Sequence, residues 1–335
     1  MIKITVQTSK PYVIEINKGL VVKQLSQAIP EGFVITDSNI SRLYPHLVRE
    51  PSFIIEAGEK SKSFENYRAI IEKLSETNKK VIVALGGGVV GDLAGFVAST
   101  YKRGIDLIQI PTSLLAMVDS SIGGKNGINI GNKKNYLGTI YQPEKILIDT
   151  LFLETLPENE FKNSVAEIIK YGAVFDQTLL QRTQKKIKLS DIDLEPIIAK
   201  CCEIKAKVVE KDEKDKSYRH TLNFGHTIGH ALELLYNLSH GEAISIGMLK
   251  ELELGESEGM VKRDRVEELK KALETNNLPT KFPETWDLDK VLGVMKKDKK
   301  GEFVFAFDEQ NYNVKLNEEV VKEFLEKQKN AAEKN

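Results

Sequence analysis

Histidine is the first residue type in this chain whose positions suggest chemistry. Four of the five histidines lie between residues 220 and 240. In the run RHTLNFGHTIGHALE, His226 and His230 are four residues apart, so on a helix they would share one face. Two imidazoles at this spacing can ligate zinc, but HTIGH lacks the glutamate of the HExxH pattern, which disfavours a metalloprotease. The cluster, which His240 follows closely, predicts a metal site of another kind.

Further polar residues fall at helical spacing around this cluster. Arg219 and Asn223 would lie on the same helix face as the two histidines, in the preceding turns. A catalytic zinc needs a third protein ligand and an open position. The candidate is Glu167 in VAEIIKYGA, an otherwise apolar helical segment with Lys170 close behind. A buried Glu–Lys pair is the alternative, but a divalent cation would neutralise the carboxylate at lower cost.

A glycine-rich turn suggests a nucleotide site. VIVALGGGVVGDLAGFVAST leads from a strand through Gly86, Gly87 and Gly88 into an alanine-rich helix. Glycines at such a junction let the backbone approach a pyrophosphate, which the helix N-terminus attracts. The spacing is GGGxxGD and not GxGxxG, so a tight packing turn is the alternative. Asp92 would repel a phosphate, so we interpret it as orienting a ribose, an amide or the loop itself.

A second polar run, PTSLLAMVDSSIGGKNGINIGNKKNYLGTIYQP, is too polar for a core strand and too apolar for a disordered linker. We expect an ordered loop. Lys125, Lys134 and Asn135 could clamp an anion there, with Asp119 facing the same cavity. Exposed lysines in a loop are the alternative for any one of them.

The elements that must position these residues differ between the two halves of the chain. In the first half, helical segments alternate with seven apolar runs that predict strands: MIKITVQT, YVIEI, GFVITD, SFIIEA, KKVIVAL, DLIQIPT and KILIDT. The later part consists of long amphipathic helical stretches and one hairpin, EFVFAF with NYNVKL. This pattern predicts an α/β fold, with an N-terminal Rossmann-like nucleotide-binding domain over 1–155 and a mainly α-helical metal-binding domain over 156–335. We expect residues 326–335 to form a frayed tail.

Composition restricts the function classes. The net charge of −1 disfavours nucleic acid or a membrane surface as a partner. Adjacent Cys201 and Cys202 suit neither an ordinary disulfide nor a metal cluster, which indicates thiols in a reducing compartment. With no signal peptide and no bilayer-spanning apolar run, we expect a cytoplasmic protein.

These motifs together resemble the 3-dehydroquinate synthase family. The matching stretches run in order over roughly residues 35–300: GEKSK, GGGVVGDLAGFVAS, YKRG, PTSLLAMVDSSIGGKNGIN, NKKNYLG, TLPENEF, AEIIKYG, RHTLNFGHTIGHALE, HGEAISIGM and DKK. The family belongs to the sugar phosphate cyclases and shares its fold with glycerol dehydrogenase. The chain departs from it in DEKDKSYR, before the histidine motif, and in PTS, where PTT is commoner.

The resemblance assigns roles residue by residue. It implies Zn²⁺ or Co²⁺ on Glu167, His226 and His240, and it makes His230 a substrate contact instead of a ligand. It implies NAD bound by Asp37, Asn39, Glu59, Lys62, Gly86, Gly87, Gly88, Asp92, Thr112, Ser113, Lys134 and Thr155. It implies catalytic roles for Asp119, Lys125, Lys170, Asn223 and His230, and substrate binding by Arg103, Asn135, Lys205, Arg219 and Lys300 or its neighbour Lys299. Arg103 would reach the partner's site in a homodimer.

The implied reaction converts a phosphorylated sugar acid, 3-deoxy-D-arabino-heptulosonate 7-phosphate, into 3-dehydroquinate and phosphate. It proceeds by transient NAD-dependent oxidation, phosphate elimination, reduction and intramolecular aldol closure. Another sugar phosphate cyclase, like 2-deoxy-scyllo-inosose synthase, is the alternative within the superfamily. A glycerol-dehydrogenase-like oxidoreductase would release NADH and has less use for so many phosphate-binding lysines. A non-catalytic NAD-binding protein fits least, because no motif is broken.

Overall fold

The computed structural model describes residues 1–22, 31–131, 133–190, 194–296 and 302–332. The strands are β1 (Ile2–Val6), β2 (Tyr12–Ile16), β3 (Phe33–Asp37), β4 (Ser52–Ile55), β5 (Val81–Gly86), β6 (Asp106–Pro111), β7 (Lys125–Ile130), β8 (Lys133–Ile140), β9 (Lys145–Ile148), β10 (Glu302–Phe305) and β11 (Val314–Asn317). The helices are α1 (Ser38–Leu43), α2 (Phe64–Ser75), α3 (Gly88–Thr100), α4 (Glu158–Phe175), α5 (Gln177–Thr183), α6 (Leu194–Lys211), α7 (His226–Tyr236), α8 (His240–Ser257), α9 (Arg263–Thr275), α10 (Leu288–Lys296) and α11 (Glu318–Ala332). Among the described residues, no helix is both long and apolar enough to cross a bilayer.

Seven strands form one sheet in the order β1-β2-β9-β6-β5-β3-β4. They are the seven strands that the apolar runs predict. Only β1 and β2 pair antiparallel, and the other neighbours are parallel. Central strand β5 is buried along almost its whole length, as expected for a parallel strand covered on both faces. The predicted α/β class with a mostly parallel sheet is confirmed.

The strand order reverses between β3 and β5. From β3 the chain passes outward to β4, whereas β6 and β9 lie on the far side of β5. Ligands of such sheets bind in the crevice at the carboxyl ends of the strands where the order reverses. Asp37 ends β3 and Gly86 ends β5, and the pairing of Thr36 with Leu85 sets these ends side by side. The candidate nucleotide residues therefore meet at this edge.

Helix α3 packs against the sheet through an unusually close approach. Its apolar side chains are almost fully buried, and two of its glycines face other elements. A Cβ on Gly91 would lie 2.9 Å from Gln109 Oε1, and one on Gly95 would lie 1.8 Å from Asn126 Oδ1. Both positions need glycine because the neighbours belong to β6 and β7. Gly91 and Gly95, which follow the glycine turn, thus allow α3 to pack closely against its neighbours.

The expected ordered loop after residue 120 is a β-hairpin. Strands β7 and β8 pair antiparallel, with Lys125 opposite Ile140. The expectation of a loop is wrong because this hairpin lies outside the main sheet, so its strands need not be apolar to be stable. Most of β8 is exposed, including Tyr136, Leu137 and Ile140.

The chain divides into two compact units, and the first is not contiguous. It comprises Met1–Phe161 and Leu189–Lys214, so α6 belongs with the sheet. The amide of Gln7 donates to Glu210 at 2.7 Å, which shows one contact that holds α6 there. The second unit comprises Lys162–Lys188 and Asp215–Asn335. A single cut at residue 155 would place α6 in the second unit.

The second unit is mainly helical. Helices α7 and α8 pack closely, and β10 and β11 form the predicted late hairpin. The expected fraying of 326–335 is wrong for its described part, because α11 continues to Ala332. Residues 326–330 are exposed or half-buried, and the helix is held by Phe324 and Leu325, which precede them. Its apolar face keeps the helix attached.

Candidate active site

Three side chains from separate parts of the second unit meet in one cluster. Glu167 lies in the middle of α4, His226 is the first residue of α7 and His240 is the first residue of α8. Their candidate ligand atoms all lie within 4.8 Å of one another. Glu167 Oε1 is 3.5 Å from His240 Nε2 and 3.9 Å from His226 Nε2. This is a carboxylate and two imidazoles, a donor set typical of catalytic zinc.

The other ring nitrogens orient both imidazoles toward this cluster. His226 Nδ1 lies 3.0 Å from the carbonyl oxygen of Phe224, which can only accept, so Nδ1 carries the proton. His240 Nδ1 lies 3.0 Å from Glu233 Oε2. Metal-ligating histidines usually donate their second ring N–H to a carbonyl or a carboxylate. The donor set and its outer contacts therefore fit a divalent metal ion.

Burial and charge affect the two histidines differently. Burial, with Lys170 nearby, lowers the pKa of His226 well below its ordinary value, so its imidazole is neutral, as a ligand must be. Burial alone would lower the pKa of His240, but hydrogen bonds with Glu167 and Glu233 raise it to about 9. A metal ion must displace that proton when it binds.

Lys170 forms an ion pair with Glu167, and both side chains are buried. The alternative of a buried Glu–Lys pair is thus present, but it is not the whole cluster. The same carboxylate also faces two imidazoles, which a simple ion pair does not require. Lys170 stands directly beside the candidate metal position.

The expectation that Arg219 and Asn223 continue the face of the histidine helix is wrong. They lie in a 3₁₀ segment, Tyr218–Asn223, and Gly225 then adopts φ +80°, a left-handed conformation that breaks the helical path. Arg219 is buried, whereas Asn223 and His230 are exposed. A glycine at this break was visible in the sequence as a possible helix boundary.

A cavity of about 360 Å³ lies beside the cluster, entirely within the second unit. Asn223, His226 and His230 line it. The hairpin connection contributes Tyr312 and Asn313. No sequence pattern selects these two residues, because their proximity to the cluster depends on how the hairpin folds back.

A second cavity, of about 300 Å³, lies in the first unit. Lys125 and Asn135 line it together with Asp92. Asp119 is not among its lining residues, contrary to expectation: Asp119 accepts a hydrogen bond from Lys205, with 2.6 Å between Oδ1 and Nζ. Lys134 is exposed on β8. Of the predicted anion clamp, the structure therefore brings together Lys125 and Asn135.

Asp92 forms an ion pair with Lys62, a contact that is compatible with one of the roles considered for it, orienting the loop. Lys62 Nζ lies 2.9 Å from Asp92 Oδ2 and 3.4 Å from Glu59 Oε1. Burial raises the pKa of Asp92 above its ordinary value, against the opposing effect of Lys62. Asn129 Nδ2 donates to Glu59 at 2.8 Å, and Asn129 Oδ1 accepts from the amide of Asn135. Asn129, on β7, thus links Glu59 to β8 and has no sequence signal of its own.

The remaining nucleotide candidates lie around the carboxyl edge of the sheet. Asp37 caps α1, accepting from the amide of Asn39 at 2.9 Å. Thr112 follows β6, and its amide donates to Gly86. The others are Gly87 and Gly88 at the start of α3, Ser113 in the next loop, and Thr155, whose hydroxyl is 2.9 Å from that of Tyr44.

Two substrate candidates remain. Arg103 is exposed at the end of a short segment after α3, with φ 68°. Lys299 and Lys300 lie outside the described residues.

Sequence comparison covers nearly the whole chain. The profile of the 3-dehydroquinate synthase N-terminal domain matches residues 52–163, and that of the C-terminal domain matches residues 164–301. A 3-dehydroquinate synthase from Clostridium botulinum (strain Alaska E43 / Type E3) is 41% identical over 314 residues, which cover 87% of this chain and 89% of that protein.

Solved structures of related enzymes share the fold. A 2-deoxy-scyllo-inosose synthase complexed with carbaglucose-6-phosphate, NAD⁺ and Co²⁺ has a TM-score of 0.84 at 22% identity, over 97% of this chain and 100% of that one. A 2-epi-5-epi-valiolone synthase from Streptomyces hygroscopicus subsp. jinggangensis 5008, with NAD⁺ and Zn²⁺ bound, has a TM-score of 0.80 at 22% identity, over 99% of both chains. At this identity the likeness is one of fold.

Proposed function

Because the chain belongs to the 3-dehydroquinate synthase family, we propose that it converts 3-deoxy-D-arabino-heptulosonate 7-phosphate into 3-dehydroquinate and phosphate. The observation that carries this proposal is the cluster of Glu167, His226 and His240, intact in a chain that matches both domains of the family. The enzyme is thus a phosphate-eliminating lyase and cyclase.

The proposed cofactors are NAD and one Zn²⁺ or Co²⁺ ion. When bound, they supply a hydride acceptor and a Lewis acid, so that a substrate hydroxyl can be oxidised transiently. Glu167, His226 and His240 would hold the metal, and Glu233 would keep the His240 imidazole oriented. Similar cyclases have been crystallised with NAD⁺ and either Co²⁺ or Zn²⁺, which supports the same pair here.

In the first unit, the proposed NAD contacts form two groups. The glycine turn at Gly86, Gly87 and Gly88 would approach the pyrophosphate, with α3 presenting its N-terminal amides. Lys62 and Asp92 would keep that loop in place through their ion pair. The other proposed contacts are Asp37, Asn39, Glu59, Thr112, Ser113, Lys134 and Thr155.

The substrate phosphate would bind to cationic and amide groups. Lys125 and Asn135 line the cavity in the first unit, which is large enough for a phosphate. His230, on the exposed face of α7, is proposed as a further phosphate contact, together with Lys299 or Lys300. Arg103 of a second copy would complete the set.

The substrate carboxylate would bind to buried cations. Arg219 is 3% exposed and offers a planar fork that suits a bidentate contact with a carboxylate. Lys205 is 5% exposed and is held by both the carbonyl and the carboxylate of Asp119. Asp119 would therefore orient Lys205 as well as a substrate hydroxyl. Lys170 and Asn223 would contact the hydroxyls near the metal.

We propose a homodimer in the cytoplasm. The exposed Arg103 and the exposed apolar side chains of Tyr136, Leu137 and Ile140 on β8 support a second copy as partner. Both cysteines are buried and neither forms a disulfide, which is consistent with a reducing compartment.

The test follows phosphate, 3-dehydroquinate and NADH absorbance in one sample containing the phosphorylated sugar acid, NAD⁺ and Zn²⁺. We expect phosphate and 3-dehydroquinate to appear together with no net NADH, because the oxidation is reversed within each cycle. The Glu167→Gln variant serves as the metal-site control and should lose turnover. Absence of turnover by the wild-type protein under these conditions would refute the proposal.

Another sugar phosphate cyclase is the second candidate. Enzymes acting on a substrate without a carboxylate have no need of Lys205 and Arg219 as buried cations, and both are present here. Turnover of a sugar phosphate without a carboxylate, instead of the sugar acid, would favour that candidate. Net NADH from a polyol would favour a dehydrogenase.

A further inference from the structure

Helix α7 begins at His226 without a capping side chain of its own. The first amides of a helix have no acceptor within the helix, and the N-cap side chain normally accepts one of them. Here the N-cap residue is Gly225, at φ +80°. A Cβ on Gly225 would lie 2.4 Å from Met248 Cγ, so a Ser, Thr or Asp cap cannot take its place. The acceptors must come from another element.

Glu251 on α8 supplies them. Its Oε2 accepts from the amide of Gly225 at 2.8 Å, and its Oε1 accepts from the amide of Ile228 at 3.1 Å. These are the N-cap and N3 amides of α7, the two that a capping box satisfies within a single helix. A single carboxylate on α8 thus accepts from both of the α7 amides that a capping box would satisfy. Glu251 is fully buried, at 0% exposure, so neither oxygen is diverted to solvent.

These contacts bear directly on the candidate metal position. His226 lies between the two amides that Glu251 binds, and α8 itself begins at His240. Glu251 therefore connects the helices that carry both imidazoles. The contact is close: a Cβ on Gly247 would lie 2.0 Å from the carbonyl oxygen of Gly225.

The charge of Glu251 also favours a cation beside His226. Both ligand histidines stand at helix N-termini, where the helix dipole disfavours a cation. A buried carboxylate at the start of α7 offsets that unfavourable field. The side chain thus contributes both position and charge.

We propose that Glu251 is a positioning residue of the metal centre, which holds the His226 imidazole in its ligating place without touching the metal. This rests on the metal site of the proposed function. Loss of an outer contact of a metal site lowers metal affinity by about 10- to 100-fold. We expect a loss of that size for Glu251→Gln, whose amide nitrogen cannot accept a hydrogen bond.

The experiment measures the Zn²⁺ affinity of the full-length protein by competition with a chromogenic chelator, and the visible absorption spectrum after Co²⁺ substitution. Glu253→Gln is the matched control: it is the same substitution on the same helix, but Glu253 contacts Lys250 and Gln328. We expect weaker Zn²⁺ binding and an altered Co²⁺ spectrum for Glu251→Gln, and wild-type behaviour for Glu253→Gln.

A double-mutant cycle with His226→Ala separates positioning from general stability. If Glu251 acts through His226, Glu251→Gln will weaken Zn²⁺ binding no further in the His226→Ala background. An equal extra loss in that background, or wild-type affinity and spectrum in the single variant, would overturn the proposal. Should Glu251→Gln not fold, Glu251→Asp replaces it with the same readouts. A wild-type protein that binds no Zn²⁺ would overturn the metal centre itself, which distinguishes the two failures.

Discussion

At the scale of single residues, this protein keeps several charged groups almost out of water. Lys205 is held by Asp119, Lys62 by Asp92, and Lys170 by Glu167. A buried charge is costly unless it is paired. Charged groups that are shielded from water and paired in this way cluster at functional sites. All three pairs involve residues proposed to act on substrate or cofactor.

Replacing Arg219 with Ala tests the proposed carboxylate contact. We expect KM for the phosphorylated sugar acid to rise about 10- to 100-fold, the loss typical of a charge-assisted bidentate contact. Because the same contact persists in the transition state, kcat should change less. Steady-state kinetics measures both. Arg263→Ala, at an arginine whose side chain is 76% exposed on α9, is the control. Unchanged KM in Arg219→Ala would remove Arg219 from the carboxylate site.

The two cysteines should be inert in the folded protein. Burial raises the pKa of the Cys202 thiol, and both Cys201 and Cys202 are at 0% exposure. A raised pKa leaves less thiolate, the reactive form, at any given pH. We expect no reaction with a thiol reagent at pH 8 in buffer, and reaction of both cysteines in denaturant, as measured by absorbance. Rapid labelling of native protein would contradict the buried position of these thiols on α6.

At the scale of elements, the contact of α7 with α8 decides where the histidines stand. Gly225, Gly229 and Gly247 allow the two helices to approach, because each would place a Cβ within 3.0 Å of an atom of the other helix. Gly293 has no such role. On α10, a Cβ on Gly293 would meet nothing within 4 Å.

Two glycine-to-alanine substitutions test this contact. Gly247→Ala should lower the free energy of unfolding by about 1–3 kcal/mol or more, since the new methyl group clashes with backbone. Gly293→Ala should raise it by about 0.4–1 kcal/mol, because alanine restricts the unfolded chain without a clash. Urea unfolding measures both. Equal effects of the two substitutions would mean that helix propensity, and not packing, governs these positions.

At the scale of the whole molecule, the proposed cofactor contacts are divided between the two compact units. The proposed NAD residues belong to the first unit, and the three candidate metal ligands belong to the second. Substrate candidates occur in both units, with Lys125 and Lys205 in the first and Arg219 in the second. Catalysis should therefore need both units, whereas each cofactor should need one.

Glu167→Gln tests that division. The variant should lose tight Zn²⁺ binding, because a neutral amide is a poor ligand for the cation. Its NAD⁺ affinity should change much less than its Zn²⁺ affinity, since none of the proposed NAD contacts is a metal ligand. Calorimetric titration with Zn²⁺ and with NAD⁺ measures both, and Lys62→Ala should show the opposite pattern. Loss of NAD⁺ binding in Glu167→Gln would show that one cofactor site depends on the other.

The amino-acid sequence alone was sufficient to predict the seven strands of the sheet, the fold class, the late hairpin and the family. Strand patterns and the glycine turn are local properties, because parallel strands covered on both faces are continuous apolar runs, and a backbone that must approach a ligand closely favours glycine. The family motifs are also local strings, so they too could be read without coordinates. Through the resemblance, these motifs identified Glu167, His226 and His240 as one set of metal ligands. Helical spacing alone had suggested His226 and His230 as the ligand pair.

Which of these residues meet depends on the packing of the folded chain. The path of the chain returns α6 to the first unit, which sets Lys205 against Asp119 and leaves Asp119 outside the cavity of Lys125 and Asn135. It also brings Glu233 and Glu251 to the histidines. Such contacts join residues far apart in sequence, and they depend on the packing of whole elements, which no local pattern records. For the same reason the β7–β8 hairpin was not predicted: its strands lie outside the main sheet, and their apolar residues do not form a continuous run.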